Sequence, residues 1–476
     1  MHRLGRLCYS FQGGHIMANP SRNTPQYRAE VAARLVEDAY PRLDFSLRIT
    51  REEYAARWQT VQAAMKAQGY TALYVCGSEL DRSDIAWLAG VYDPIIERYG
   101  LLLPAAGRPI ILVGSEGGHV LEEAAEASGA DIALMQEFQI SDEEYRHAHF
   151  ENLDDIIRRL DLPPGAQKVA VCSSPEFLPL AHYQLLVGKF GAESIVFAEE
   201  LLQKIKYAKT AKELAIMQQA NLAADAGFRG MLAAAVPGAR ETDLAGVAEF
   251  IFKQLGAHRL GFPTIVTSGL RNYTVIGPAT DKVLEEGDLV SMGLSPTWHG
   301  YHGILRRTIR VGAPPTTGQR ELIAAVEGLY RTVIEAAQQA AMGGLNTNTI
   351  DQAGKAYLEG LRLTTVAGEV ITPKEPYTFI HNTGCSECQE GFGAVTPHTA
   401  YPMADKVALM IDVALLGFEH RGEPVFPTLY AVVEDGFWKD GRDLFVYNNL
   451  PLEVQPLVGD LDAGFEGNPY WKPYGS

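Results

Sequence analysis

The pattern of apolar residues changes once along this chain, near residue 199, and the change limits the folds open to it. Between residues 51 and 198, segments with helical spacing such as REEYAARWQTVQAAMKAQGY alternate with buried-strand patterns such as TALYVCG. Beyond residue 199, long helical segments separate strands that pair as hairpins, such as GDLVSMGL and GILRRTIRVG. The sequence therefore predicts an α/β N-terminal domain, with helices on both sides of a sheet, followed by an α+β domain.

The length of the chain agrees with this division. At 476 residues it is long for a single hydrophobic core. We predict an N-terminal arm at 1–50, the α/β domain at 51–198, the α+β domain at 199–448 and a tail at 449–476. The tail is rich in proline, glycine and aromatic residues and is expected to lie over a neighbouring surface. Translation could begin at Met1 or at Met17.

The composition excludes several classes of partner. The formal net charge of −17 argues against nucleic acid or an anionic membrane surface. No apolar run approaches the ~20 residues that span a bilayer. The N-terminus has no continuous apolar core, which makes it a poor signal peptide. Five cysteines are too few for a disulfide scaffold in a chain of this size, so we predict a cytoplasmic location. We also predict that the partner of this protein is a small-molecule substrate.

Six phrases in the second half of the chain carry a family resemblance through their order and spacing. They are KIKYAKTAKELAIMQQAN, FPTIVTSG, DKVLEEGDLVSMG, GYHGILRRTIRVG, HNTG and LYAVVEDG. From about Glu199 to Glu434 the chain resembles the creatinase and Xaa-Pro peptidase (methionine aminopeptidase-like) superfamily. The preceding domain is similar to the N-terminal domain of creatinase and prolidase relatives. The resemblance implies that the second domain has the "pita-bread" fold of that superfamily.

The resemblance also implies where metal ligands would lie. In the peptidase branch, two aspartates, one histidine and two glutamates hold a pair of divalent metals, which polarise a carbonyl and generate a hydroxide. Those positions fall on Gly293, Ile304, His381, Asp412 and Pro427. Only His381 and Asp412 among these residues have side chains that can bind a metal, and two ligands are too few to hold two metal ions. We therefore expect a site with no metal and no cofactor, as in the metal-free creatinase-like branch.

The apparatus implied by creatinase is altered as well. Its proton-shuttling histidine would fall near Ile276, and its guanidinium-binding glutamate would fall on Arg306. Its two carboxylate-binding arginines would fall on Glu97 and Phe392. The pocket would thus lose cations at one end and gain one at the other, which argues against creatine as the substrate.

The remaining polar residues define a predicted site. His381 would act as a general acid/base, with a hydrogen-bonded core histidine as the alternative. Asp412 lies in an apolar strand and must be paired, so a partnership with Arg306 is as consistent as a catalytic role. The predicted substrate-binding residues are Glu97, Arg271, Tyr273, His302, Cys385, Glu387, Cys388 and Phe392.

Cys385 and Cys388 have the two-residue spacing of a zinc knuckle or redox pair. The chain has no second pair of this kind, which disfavours structural zinc. A metal-binding or nucleophilic role together with His381 stays open as the less favoured alternative.

Two classes of function follow from these residues. The first is a metal-independent hydrolase that cleaves a C–N bond of a small heterocyclic, amide or ureido compound. The alternative is a non-catalytic small-molecule-binding or structural homologue, and a metal-dependent Xaa-Pro peptidase is less favoured. The enzyme reading requires His381, Arg306 and Asp412 to converge on one cavity. The resemblance further implies a homodimer in which Glu97 reaches the pocket of the partner.

Overall fold

A computed structural model describes residues 22–140, 145–162, 167–273, 275–364, 370–386, 391–418 and 429–475. In chain order the helices are α1 (Pro25–Ala39), α2 (Arg51–Gln68), α3 (Ser83–Ala89), α4 (Ser115–Val120), α5 (Glu122–Ser128), α6 (Leu153–Arg159), α7 (Leu180–Phe190), α8 (Glu199–Tyr207), α9 (Ala211–Ala234), α10 (Glu241–Gln254), α11 (Thr317–Gly343) and α12 (Asn348–Gly360).

The strands, again in chain order, are β1 (Ala72–Gly77), β2 (Tyr99–Pro104), β3 (Ile110–Val113), β4 (Asp131–Leu134), β5 (Val169–Val171), β6 (Ile195–Phe197), β7 (Ile265–Ser268), β8 (Leu289–Leu294), β9 (Thr297–Trp298), β10 (Tyr301–His302), β11 (Leu305–Arg310), β12 (Leu363–Thr364), β13 (Val370–Ile371), β14 (Ile380–Asn382), β15 (Lys406–Phe418), β16 (Leu429–Asp440) and β17 (Asp443–Val446).

The N-terminal domain is built on a mixed sheet with the strand order β4-β3-β2-β1-β5-β6. Alternate residues of β1 are buried on opposite faces of this sheet. Leu73 and Val75 pack with residues of α2 and α3, whereas Ala72 and Tyr74 pack with residues of α6 and α7. The predicted α/β domain with helices on both sides of a sheet is therefore confirmed.

The second domain is built on an antiparallel sheet in which β14-β15-β16-β11-β8-β7 follow one another and β17 pairs with β16. Apolar residues of α11 and α12 pack against β15, β16 and β17. Apolar residues of α1, α9 and α10 pack against β7, β8 and β11. This α+β arrangement confirms the prediction for the second domain, and its long central strands β15, β16 and β11 form the floor of the site described below.

A buried polar cluster joins the two domains. The Arg57 guanidinium of α2 donates to the Trp87 carbonyl at 2.7 Å and to the Tyr301 hydroxyl at 2.7 Å. It also forms an ion pair with Glu213 of α9 at 3.1 Å. Glu213 in turn accepts hydrogen bonds from the Trp87 indole at 3.0 Å and from Tyr301 at 2.9 Å. Because a buried charge is stable only when paired, this cluster fixes the orientation of the domains.

The C-terminal tail packs on the second domain. The Arg229 guanidinium of α9 donates to the tail carbonyls of Leu457, Asp460, Leu461 and Ala463. The segment boundaries predicted from the sequence remain predictions. Among the helices that the structure describes, none combines the length and apolarity needed to cross a bilayer.

Gly303 lies between β10 and β11, where the chain meets the backbone of α9. A Cβ atom here would lie 2.5 Å from the carbonyl C and O of Ala220 and 2.8 Å from the N of Asn221. These are backbone atoms of a buried helix, so they cannot turn aside as a side chain would. We expect Gly303→Ala to lower the free energy of unfolding by about 1–3 kcal/mol, the usual cost of overpacking.

Gly246 in α10 provides the matched control, because its Cβ would meet no atom within 4 Å. Gly246→Ala should raise the free energy of unfolding by about 0.5–1 kcal/mol, since alanine favours the helix interior. Denaturant unfolding of both variants measures the difference. Equal midpoints for Gly303→Ala and the parent protein would contradict this close approach of β10–β11 to α9.

Candidate active site

A row of facing residues crosses the centre of the antiparallel sheet. Asp412 on β15 stands opposite Glu434 on β16, Glu434 stands opposite Arg306 on β11, and Arg306 stands opposite Gly293 on β8. Residues directly opposite in antiparallel strands project to the same face. His381 on β14 stands opposite Met410, two residues before Asp412, and so joins the same face.

The charged groups of this row lie close together. Arg306 Nη1 is 3.5 Å from Asp412 Oδ2 and 3.6 Å from Glu434 Oε2. His381 Nε2 is 3.7 Å from Asp412 Oδ2 and 4.0 Å from Glu434 Oε1. We call His381, Asp412, Glu434 and Arg306 the floor cluster. It joins one cation and one imidazole to two buried carboxylates.

Two tyrosines hold the floor cluster in place. Arg306 Nη2 donates to the Tyr430 hydroxyl at 2.8 Å and to the Val275 carbonyl at 2.7 Å. The Tyr377 hydroxyl donates to Asp412 Oδ1 at 2.9 Å. Burial disfavours the charged form of Arg306, but the neighbouring tyrosines and carboxylates outweigh it and raise the pKa of Arg306 above its ordinary value. The guanidinium is therefore a permanent cation in the site.

The floor cluster opens into a cavity between the domains. The cavity has a volume of about 440 Å³, within the ~300–1,000 Å³ usual for small-molecule sites. It is lined by Leu80, Asp81, Arg82, Gly261, Phe262, Ile265, Ile276, His302, Arg306, Tyr377, Thr378, His381, Cys385, Ser386 and Asp412. The N-terminal domain thus contributes the loop between β1 and α3, and the second domain contributes the rest.

Arg82 is a second cation in the wall of this cavity. Arg82 is 8% exposed, and its Nη2 donates a hydrogen bond to the Leu260 carbonyl at 3.3 Å. Across the part of the chain that the structure describes, Arg82 forms no ion pair within 4.0 Å. Burial, and after it the charge of Arg259, holds the pKa of Arg82 below its ordinary value. An anion in the cavity would relieve this desolvated charge.

Five of the residues predicted from the sequence line this one cavity: His381, Asp412, Arg306, His302 and Cys385. His381, Arg306 and Asp412 therefore meet in one cavity, as the hypothesis of an enzyme requires. His302 is buried, and its Nδ1 lies 3.1 Å from the Gly384 carbonyl oxygen.

Three predicted substrate-binding residues are engaged elsewhere. Glu97 is 3% exposed and accepts a hydrogen bond from the Gly117 N–H at 2.7 Å inside its own domain. Arg271 pairs with Glu241 and donates to the Pro278 carbonyl. Phe392 stacks on Tyr401, with ring centroids 5.2 Å apart. The side chain of Tyr273, and both Glu387 and Cys388, lie outside the described residues.

Glu434 is the member of the floor cluster that the sequence analysis missed. The resemblance was taken to place the last glutamate on Pro427, which lies outside the described residues. The structure instead sets Glu434 opposite Asp412. The ligand atoms of His381, Asp412 and Glu434 all lie within 4.8 Å of one another. The site therefore holds three residues of ligand type rather than the two expected.

These residues do not fit a pair of metals. Gly293 and Ile304 have no ligand atoms in their side chains. The space beside Gly293 is filled by Arg306, since a Cβ at Gly293 would lie 2.6 Å from Arg306 Cγ. The Arg306 cation itself lies against both carboxylates, where it would repel a metal ion.

Comparison with known proteins agrees with this architecture. The model of metallopeptidase family M24 matches residues 215–404. A Xaa-Pro dipeptidase from Pyrococcus horikoshii is 26% identical over 242 residues, which cover 50% of this chain and 65% of that protein. The "probable dipeptidase PepE" of Mycobacterium tuberculosis is 25% identical over 417 residues, which cover 86% of this chain and 98% of that protein.

Solved structures show the same fold. The prolidase from Pyrococcus horikoshii OT3 superposes with a TM-score of 0.65 at 18% identity, covering 84% of this chain and 99% of that one. Dipeptidase PepE from Mycobacterium ulcerans gives a TM-score of 0.62 at 22% identity, covering 86% of this chain and 99% of that one.

The names of the relatives correct one prediction. Proteins called Xaa-Pro dipeptidase and dipeptidase PepE contradict the expected hydrolase of a heterocyclic, amide or ureido compound and favour the peptidase reading that had been ranked last. The error came from weighing the lost ligands at Gly293 and Ile304 more heavily than the shared fold. The M24 family model thus matches the central part of the second domain, and the superpositions show that the chain has the pita-bread fold of these prolidases and of dipeptidase PepE.

Proposed function

We propose that this chain hydrolyses the peptide bond of a short, dipeptide-sized substrate and does so without a pair of metal ions. The observation that carries the proposal is the floor cluster, in which an imidazole, two carboxylates and a permanent cation meet at the base of one interdomain cavity. The dipeptidase names of the relatives support a peptide bond as the target.

The chemistry follows from the charges of the floor cluster. His381 takes a proton from a water molecule, whose oxygen bonds to the peptide carbonyl carbon. The Arg306 cation stabilises the negative charge that develops on the carbonyl oxygen. The C–N bond then breaks, and His381 returns the proton to the leaving amine. Asp412, 3.7 Å from His381 Nε2, stabilises the imidazolium formed between these steps.

Arg82 supplies the second contact that a short peptide needs. Its guanidinium lines the cavity without an ion pair among the described residues, and so can hold the terminal carboxylate of the substrate. Phe262 and Ile265 line the same cavity and supply apolar surface suited to a substrate side chain. A peptide with a free carboxylate would thus be preferred over the same peptide as an amide.

Arg82→Gln tests this contact. We expect the KM for a free dipeptide to rise about 10–100-fold, the usual worth of a charged hydrogen bond, and the KM for the dipeptide amide to stay nearly unchanged. Arg108→Gln is the matched control, because Arg108 is an exposed residue outside the cavity. An equal response of the free and amidated peptides would show that Arg82 does not bind the carboxylate.

The proposed function itself is tested by a panel of dipeptides, including Xaa-Pro sequences, with release of the free amine as the readout. The folded parent protein should hydrolyse at least one member of the panel. Absence of turnover across the whole panel, with and without added Zn²⁺ or Mn²⁺, would overturn the proposal. The predicted homodimer and cytoplasmic location remain proposals drawn from the resemblance and the composition.

A further inference from the structure

The position of the Arg306 side chain distinguishes the floor cluster from a metal site. Three residues of ligand type, His381, Asp412 and Glu434, surround a point on the sheet where a metal ion would be held. Nη1 of Arg306 lies against the two carboxylates, at 3.5 and 3.6 Å. A guanidinium carries a fixed positive charge and hydrogen-bond donors that match carboxylate oxygens.

Gly293 explains how the arginine reaches this point. The stem of Arg306 runs over Gly293, so that a Cβ at Gly293 would lie 2.6 Å from Arg306 Cγ and 3.1 Å from Cδ and Nε. A longer side chain at position 293 and the observed path of Arg306 exclude each other. The absence of a side chain at Gly293 and the position of the Arg306 cation are thus linked through the packing of β8 against β11.

The arginine is held firmly in this place. Tyr430 and the Val275 carbonyl accept hydrogen bonds from its Nη2, and the Tyr377 hydroxyl lies 3.4 Å from its Nη1. Its charge also meets an electrostatic need, because two carboxylates buried side by side repel each other unless a cation lies between them. A divalent metal would meet the same need in a site of this kind.

We infer that the Arg306 guanidinium takes the place of a metal cation in this site, and that without it His381, Asp412 and Glu434 form a site for one divalent metal ion. Imidazole and carboxylate ligands in this number suit Zn²⁺ or Co²⁺. The inference concerns the same cavity as the proposed function. It does not depend on which bond is cleaved, because metal binding is measured directly.

The test is the binding of Co²⁺ and Zn²⁺ to the purified full chain, followed by calorimetry and by the visible absorption of bound Co²⁺. Arg306→Ala should bind close to one ion per chain, with a Kd at least about 100-fold lower than that of the parent protein, because a cation no longer repels the metal. The double variant Arg306→Ala/Asp412→Ala should lose this gain, since it lacks one ligand.

Two outcomes would overturn the inference. One is tight binding of a divalent ion by the parent protein while Arg306 is present. The other is an affinity of Arg306→Ala no greater than that of the parent protein. Arg306→Gln provides a second variant if alanine prevents folding, because it removes the charge but keeps much of the stem that covers Gly293. Circular dichroism and the thermal midpoint establish that each variant compared is folded.

Discussion

His381→Ala should lower kcat/KM for dipeptide hydrolysis by about 10²–10⁴-fold, the usual contribution of a general acid/base. The imidazole is the only group of the floor cluster whose ordinary pKa lies near neutrality, so nothing beside it can move the proton equally well at pH 7. Circular dichroism and the thermal midpoint should stay close to those of the parent protein, because His381 lies at the edge of the cavity rather than in the apolar core.

His398→Ala is the control for this variant. His398 is exposed and is absent from the cavity lining, so its removal should leave kcat/KM unchanged. A His381→Ala variant that kept its fold and at least half of the parent rate would show that proton transfer is carried out elsewhere.

Asp435→Ala should lower the free energy of unfolding by about 3–5 kcal/mol, because it leaves the Arg307 guanidinium buried without its carboxylate. Arg307 and Asp435 are 1% and 0% exposed in their side chains, and Arg307 Nη2 lies 3.0 Å from both carboxylate oxygens. Tyr330 of α11 donates to the same carboxylate at 2.7 Å. This pair lies on the opposite face of β16 from Glu434 and ties α11 to the sheet.

The exposed pair Arg108–Asp131 provides the comparison, since its side chains are 62% and 37% exposed. Asp131→Ala should cost no more than about 1 kcal/mol. The double variant Arg307→Met/Asp435→Leu should recover much of the stability lost in Asp435→Ala, because it removes the unpaired charge. Denaturant unfolding measures all three variants. A cost for Asp435→Ala as small as that for Asp131→Ala would show that the buried pair does not hold α11 in place.

The fold was predictable because each domain shows its own periodicity over many residues. Alternate burial in β1 and the helical spacing of α2 are local patterns, and local patterns are visible in a sequence. The six phrases shared with the superfamily then fixed the order of the elements in the second domain. Both the local periodicity and the shared phrases can be recognised without knowing the contacts between distant residues.

The candidate site was most predictable where a residue lies inside or between those shared phrases. His381 and Arg306 lie inside HNTG and GYHGILRRTIRVG, Asp412 lies in the strand before LYAVVEDG, and the structure places all three in the lining of one cavity. Glu434 also lies in a shared phrase, LYAVVEDG, but its place in the site depends on the register of β15 against β16, which the sequence between the two strands does not reveal. The alternation of Tyr430, Val432 and Glu434 on one face of β16 is the signal that could have revealed it.

The remaining errors concern contacts between distant parts of the chain. Arg82 was missed because it enters the cavity from the other domain, and no local pattern marks it. Glu97 and Arg271 were assigned to the site through the resemblance, whereas in the structure Glu97 accepts a hydrogen bond from the Gly117 N–H and Arg271 pairs with Glu241. The charge of a residue does not show which partner binds it.

We propose that a protein cation, Arg306, supports peptide-bond hydrolysis where a metal pair would otherwise be needed. The most direct measurement is the rate of hydrolysis of the best dipeptide before and after exhaustive chelation, with elemental analysis of the same sample. We expect an unchanged rate in protein that contains far less than one divalent metal per chain. A rate that disappears on chelation and returns with added Zn²⁺ or Mn²⁺, at close to two bound ions per chain, would contradict it.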